Sequence, residues 1–145
     1  MATQNIIQYL ETGVGIEAMN RRQVETFIAS EAIAAGDALS LDLAQAKDGD
    51  KAIHVMKADT GTNAKRCGIG VAIGDAAAGE TVDVCIAGMC SAKVKAGTGV
   101  GDRLSIYSTV GILEPYQATF EDPILAVAGS AVSGGKSTVF VIKQF

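Results

Sequence analysis

AAGETVDVCIAGMCSAKV, residues 77–94, opens on two small residues, a glycine and a polar residue, and then alternates apolar with polar positions. Glycine supplies backbone dihedrals that other residues reach only with strain, the polar residue is expected to face water, and a period of two is that of a strand with one face covered. The same arrangement recurs as AAGDALSLDL (34–43), GVGDRLSIYS (99–108) and SGGKSTVFVI (133–142). Each reads as a turn delivering the chain into a strand. The alternation puts Leu39 with Leu41, Val82 with Val84, Leu104 with Ile106, and Val139 with Val141 on common faces. Because the spacing between these glycines is unequal, the pattern is not a solenoid of fixed period. It predicts an all-β chain built of hairpins, closed as a β-barrel or packed as a β-sandwich.

Further strands are expected in RQVETFIASEAI (22–33), KAIHVMKA (51–58), RCGIGVAIG (66–74), the continuation AGMCSAKV (87–94) and PILAVAGSAV (123–132), separated by turns such as AKDGDK and ADTGTNAK. Helix is confined to a short turn in NIIQYLETG or in IEAMNRRQ. Residues 1–20 then form an arm ahead of a single domain spanning 21–145. The arm is too apolar for a solvated tail, and Ile6, Ile7, Tyr9 and Leu10 are its candidate anchors on a neighbouring subunit. Its alternative is an N-terminal strand or helix that completes the chain's own barrel.

At 145 residues the chain suits one domain. Hydrophobic residues make up 48% of it, but aromatics only 5% and tryptophan is absent, so its core is built of Val, Ile, Leu and Ala, without the large anchors common in ligand pockets. A net charge of −4 argues against a nucleic-acid partner, which requires a basic face. Cys67, Cys85 and Cys90 lack metal-ribbon spacing and form an odd set, which points to a reducing compartment and away from a disulfide framework. The opening MATQNIIQYLETGVG has neither the basic start nor the apolar run of a secretory signal, and no stretch has the length of a membrane helix. A soluble protein made in a cytoplasm, with no membrane partner, is the expectation.

Motifs with chemical meaning resolve into structural ones. GSAVSGGKST (129–138) contains the Gly-Lys-Ser of a phosphate loop, but Gly129 is one residue too far from Gly135-Lys136, and a strand rather than a helix follows. A hairpin turn at Gly134-Gly135 is predicted instead. GIGVAIG does not have the dinucleotide fingerprint spacing, and its glycines permit close strand packing or a bulge. His54 is the sole histidine and lies in an alternating strand, where no nucleophile is predictably beside it. The acidic residues Asp37, Asp42, Asp48, Asp50, Asp59, Asp75, Glu80, Asp83 and Asp102 fall mainly in turns, which they close with local hydrogen bonds. No catalytic, cofactor or metal residue is assigned. An enzyme would have to use His54 with one of those aspartates. Met56-Lys57 is similar to the Met-Lys of biotinyl-carrier domains, but that lysine belongs at a hairpin tip, and Lys57 is expected inside a strand.

AIAAGDALSLD, VAIGDAAAGETVDVCIAGMCSAKV and VGDRLSIYSTVGIL, following an apolar arm, resemble the small β-rich decoration or cement proteins of tailed-bacteriophage heads over most of residues 20–145. The resemblance implies a β-tulip-like body, no enzymatic activity and no cofactor. It also implies a homotrimer on the virion's capsid exterior that binds the major capsid protein and clamps adjacent capsomers. A phage tail or baseplate accessory protein would share the hairpins and differ in partner.

Overall fold

A computed structural model describes residues 22–61, 65–106, 109–117 and 123–144. All four glycine turns are formed. The amide of the fourth residue donates to the carbonyl of the first in Ala34–Asp37 (3.0 Å), Ala77–Glu80 (3.0 Å), Gly99–Asp102 (3.2 Å) and Ser133–Lys136 (3.1 Å). The glycine at the third position has a φ of +91°, +86°, +86° and +75° in turn, the left-handed value such turns require. In the first three, the acidic side chain at the fourth position also reaches back to the first amide: Ala34 to Asp37, Ala77 to Glu80 and Gly99 to Asp102, at 2.8, 2.9 and 2.7 Å. The fourth has lysine there and glycines at both central positions, each with positive φ, and is the two-residue hairpin turn expected at Gly134-Gly135.

Nine strands are present among the described residues: β1 (Gln23–Ala29), β2 (Ala38–Leu41), β3 (His54–Lys57), β4 (Gly68–Ala72), β5 (Thr81–Lys93), β6 (Arg103–Ile106), β7 (Leu113–Pro115), β8 (Ile124–Ala128) and β9 (Lys136–Val141). A single helical turn, α1 (Asp48–Lys51), occupies the predicted AKDGDK turn and is spanned by a Lys51–Asp48 ion pair of 2.8 Å. Four pairs of consecutive strands are antiparallel neighbours, namely β2–β3, β4–β5, β6–β7 and β8–β9, so the chain is built of hairpins as expected. The ring β1-β3-β2-β4-β5 closes through a β1–β5 ladder into a five-stranded barrel, within which only β1–β3 is parallel. The order then continues β5-β9-β8-β6-β7 as a second sheet. The chain is all-β and a single domain.

One strand belongs to both layers. Residues 81–87 of β5 pair with β1, and residues 88–93 pair with β9. At the junction Gly88 has φ +91°, and the β1 ladder slips by one residue between Gln23 and Val24. Two cores follow from this division. Leu39, Val55, Ile69, Val82, Val84 and Ile86 fill the barrel. Ala38, Val71 and Cys85, on the other face of the barrel wall, pack with Leu104, Leu113, Leu125, Val139 and Val141 of the second sheet. A Cβ on Gly68 would collide with the Ile106 side chain, which shows how closely the sheet lies on β4. Strands β2 and β4 are therefore covered on both faces, and β4 is buried throughout.

Several expectations change. Asp37 is buried rather than facing water, because its turn lies beneath the second sheet. The strand expected over 22–33 ends at Ala29, since Ser30 onward turns away until Ile33 makes an isolated bridge to Ala76. The strands expected over 51–58 and 123–132 shorten to 54–57 and 124–128. Strand β7 was not predicted: Glu114 and Pro115 obscure its alternation, and it lies at the end of the sheet, where proline is tolerated. The arm and the first helix candidate lie outside the described residues, as does the second up to residue 21; its last residue, Gln23, opens β1.

Candidate interaction surface

On the second sheet the register lines up four side chains. Met89 is opposite Phe140, Phe140 opposite Val127, and Val127 opposite Arg103, on β5, β9, β8 and β6 respectively. Residues directly opposite on neighbouring strands share a face. Their neighbours in sequence, Cys90, Val139, Ala126, Ala128 and Leu104, are buried in the core, so this row looks outward. Phe140 is 48% exposed, and nearby Ile142 is 44% exposed. Gly129 leaves room for the ring: a Cβ there would lie 2.9 Å from Phe140 Cε2. The result is an apolar stripe crossing three strands, with a guanidinium at one end. Such a surface suits a protein partner whose own patch is apolar with an acidic margin. The signal for it was in STVFVI, where placing Val139 and Val141 inward leaves Phe140 outward.

A second feature is a pocket of about 240 Å3 whose lining includes Glu25, Phe27, Leu41, Ile69, Ile86 and Lys143. Its lining residues Ile69 and Ile86 belong to the barrel core, so it is an opening of the barrel interior.

The residues singled out from sequence fall into place separately. Anchors Ile6, Ile7, Tyr9 and Leu10 lie outside the described residues. His54 is half-buried on β3, with Nδ1 2.9 Å from the Asp50 carbonyl oxygen. Ser30 donates not to an imidazole but to the Asp42 carboxylate at 2.7 Å, and Gln45 and the Ala44 amide donate to the same group at 2.6 and 3.1 Å. Burial alone would raise the Asp42 pKa. The donated bonds from Ser30, Gln45 and Ala44, aided by the charge of His54, outweigh it and hold the carboxyl below its ordinary value. Asp59 and Asp75 likewise accept backbone amides, from Gly61 and Ala35. Lys57 is inside β3 and half-buried, not at a hairpin tip. Gly70 of GIGVAIG packs against the β5 backbone. Among the described residues no cluster of three or more metal-ligating side chains forms.

No protein-family model and no curated protein matches the sequence. The fold has a solved counterpart. It is similar to the N base of the head fiber protein gp8.5 of bacteriophage phi29, with a TM-score of 0.56 and 19% sequence identity, over 83% of this chain and 94% of that one. At this identity the likeness is one of fold. It extends across both the barrel and the second sheet, since neither alone would fill so large a share of the chain.

Proposed function

We propose that the chain is a structural protein of a bacteriophage head that binds the outer surface of the capsid and clamps adjacent capsomers against internal pressure. The observation carrying this reading is its likeness in fold to the phi29 head fiber base over 83% of this chain and 94% of that one. The molecule's build is consistent with it. Two sheets sharing one strand enclose two apolar cores. The Met89–Phe140–Val127 stripe with Arg103 offers an apolar face to the major capsid protein, and Ile6, Ile7, Tyr9 and Leu10 anchor the arm on a neighbouring subunit of a homotrimer. The role requires no enzymatic step and no cofactor.

The test is capture of the tagged full chain from its native source, with partners and their stoichiometry read by mass spectrometry. Recovery with a major capsid protein in near-equimolar amounts is expected. Recovery with tail or baseplate proteins in a few copies per virion, or with a metabolic enzyme, overturns the reading.

A further inference from the structure

Strand β1 is paired unequally on its two sides. Its antiparallel ladder with β5 runs from Gln23 to Ile28, whereas its parallel ladder with β3 holds only Ile28 and Ala29. The Ile28 amide donates to the Ile53 carbonyl at 2.8 Å, and the seam ends there. Among the described residues, 23–27 therefore have no strand on the β3 side. Amides alternate along a strand: that of Ala29 donates to Glu80, on the β5 side, and that of Ile28 to the β3 side. The same alternation turns the backbone amides and carbonyls of Val24 and Thr26 toward the open side. The pocket of about 240 Å3 lies at this gap, lined by Glu25 and Phe27 of β1 and by Ala52, just ahead of β3. Phe27, Leu41, Ile69 and Ile86 make its walls apolar, and Glu25 and Lys143 bring one charge of each sign. Val24, on the outward face of β1, and Ile53, at the end of the seam, are exposed apolar side chains.

We propose, resting on the arm's role given above, that this slot receives the N-terminal segment of a second copy of the chain, with residues 6–10 added as a strand on the free edge of β1 and Tyr9 seated in the pocket. A strand added to an open edge takes up its unpaired backbone groups, and the alternate side chains decide which strand fits. NIIQYLE (5–11) has the required alternation: Ile7, Tyr9 and Glu11 share one face, Ile6 and Leu10 the other. With the first face inward, the Tyr9 ring meets the apolar walls, its hydroxyl can donate to Glu25, and Glu11 pairs with Lys143. The second face covers Val24. A pocket of about 240 Å3 suits one such ring and is smaller than the roughly 300–1,000 Å3 usual for a small-molecule site.

Chain length and side-chain chemistry favour a second copy over the same one. A strand folding back beside β1 would be joined to it by a hairpin loop of about 2–5 residues, whereas eleven residues separate Leu10 from Arg22. Those eleven residues can span roughly 36 Å when extended, enough to cross to a neighbour. Residues 14–18 (VGIEA) are at hairpin distance, but they hold neither a ring for the pocket nor a donor side chain for Glu25. Each copy gives one segment and receives one. This is a head-to-tail contact, which closes as a ring.

The experiment puts the photo-reactive benzoylphenylalanine in place of Tyr9 in the purified full-length chain, mixes isotopically heavy and light copies, irradiates them without capsid and maps the cross-linked peptides by mass spectrometry. The expected result is heavy–light pairs joining position 9 to residues 23–27 or 143–144. Pairs within one isotope alone would mean that the segment closes its own barrel, and that outcome overturns the proposal, as do cross-links mapping elsewhere or none at all. Lys143→Glu supplies a second readout, because its side chain is exposed and its loss leaves the fold intact. It should lower the yield of heavy–light pairs by about fivefold, as attraction turns to repulsion in an exposed pair, and Glu11→Lys in the same chain should restore it. An unchanged yield, or a loss that Glu11→Lys does not restore, overturns the inward placement of Tyr9 and Glu11. With no capsid present, a negative result leaves the stripe's contact with a capsid standing, and a different virion partner would leave the cross-links unchanged.

Discussion

The Lys93 ammonium lies 2.6 Å from the Asp37 carboxylate and ties the turn that opens β2 in the barrel to the far half of β5 in the second sheet. Asp37 is the less exposed partner, with 7% of its side chain accessible against 32% for Lys93. It also closes its own turn by accepting the Ala34 amide. Removing the cation leaves a buried carboxylate without its counter-charge, which is the costly way to break such a pair. Lys93→Met is therefore expected to destabilise the fold by about 3 kcal/mol. Asp37→Asn combined with Lys93→Met should be more stable than Lys93→Met alone, because the neutral amide needs no counter-ion. Urea denaturation of the two single variants and the double variant gives the coupling directly.

Gly70 tests the closure of the barrel. A Cβ at this position would collide with the Cys85 carbonyl oxygen, and backbone cannot step aside as a flexible side chain does. Gly79 has nothing within 4 Å of its would-be Cβ, and only its φ of +86° opposes substitution. Gly70→Ala should cost about 3 kcal/mol through overpacking, and Gly79→Ala about 1 kcal/mol through backbone strain. Thermal melts of the two variants should preserve that order. Equal losses would mean that the β4 and β5 backbones can shift apart at Gly70 as cheaply as a turn takes on strain.

These two glycines also mark how far the sequence was legible. Gly79 belongs to a local pattern, and local patterns name their turns: Ala77–Glu80 and its three counterparts were readable because each hydrogen-bond ring closes within four residues. Gly70 was readable only as a place of close packing, since its partner Cys85 comes from another strand. Asp37 was misplaced for the same reason. Its turn was identified, but its burial depends on a sheet formed by residues far along the chain. The change of face at Gly88 was hidden as well, because a period-two reading of AGMCSAKV carries on through a bend that only the β1 and β9 ladders reveal. As for the interaction surface, Phe140 was implicit in its strand, but its alignment with Met89, Val127 and Arg103 is a matter of register between strands. Composition cannot supply that.

Asp42 should impose an acid limit on stability. Its folded pKa is below the ordinary value, so its carboxylate stabilises the fold fully at pH above the unfolded value of about 4, and that contribution is lost as pH falls through the lower folded value. Ser30→Ala removes one of the three donated bonds and is expected to cost about 1.5 kcal/mol at pH 7. The difference from wild type should shrink as pH falls through the lowered folded value, where the carboxyl takes up its proton. Denaturation midpoints measured from pH 7 to pH 2 give the profile. A difference that does not change with pH would assign the effect of Ser30 to packing.

Phe140 separates the role of the outward stripe from general surface hydrophobicity. Half of the ring is exposed, and its strand is held by the buried Val139 and Val141 on either side. Phe140→Asp should therefore lower stability by about 1 kcal/mol or less. Leu43→Asp is the matched control, since Leu43 is similarly exposed at 41% but follows β2 on the barrel, away from the stripe. If the stripe seats on the capsid, co-sedimentation with heads stripped of this protein should show binding weakened at least tenfold by Phe140→Asp, or about 1.4 kcal/mol, and little changed by Leu43→Asp. Arg103→Glu should weaken it too, more strongly at low salt than at high salt, because its charge is exposed and screened. Equal binding by all three variants would move the contact elsewhere on the molecule, with the arm anchors Ile6, Ile7, Tyr9 and Leu10 the next residues to change.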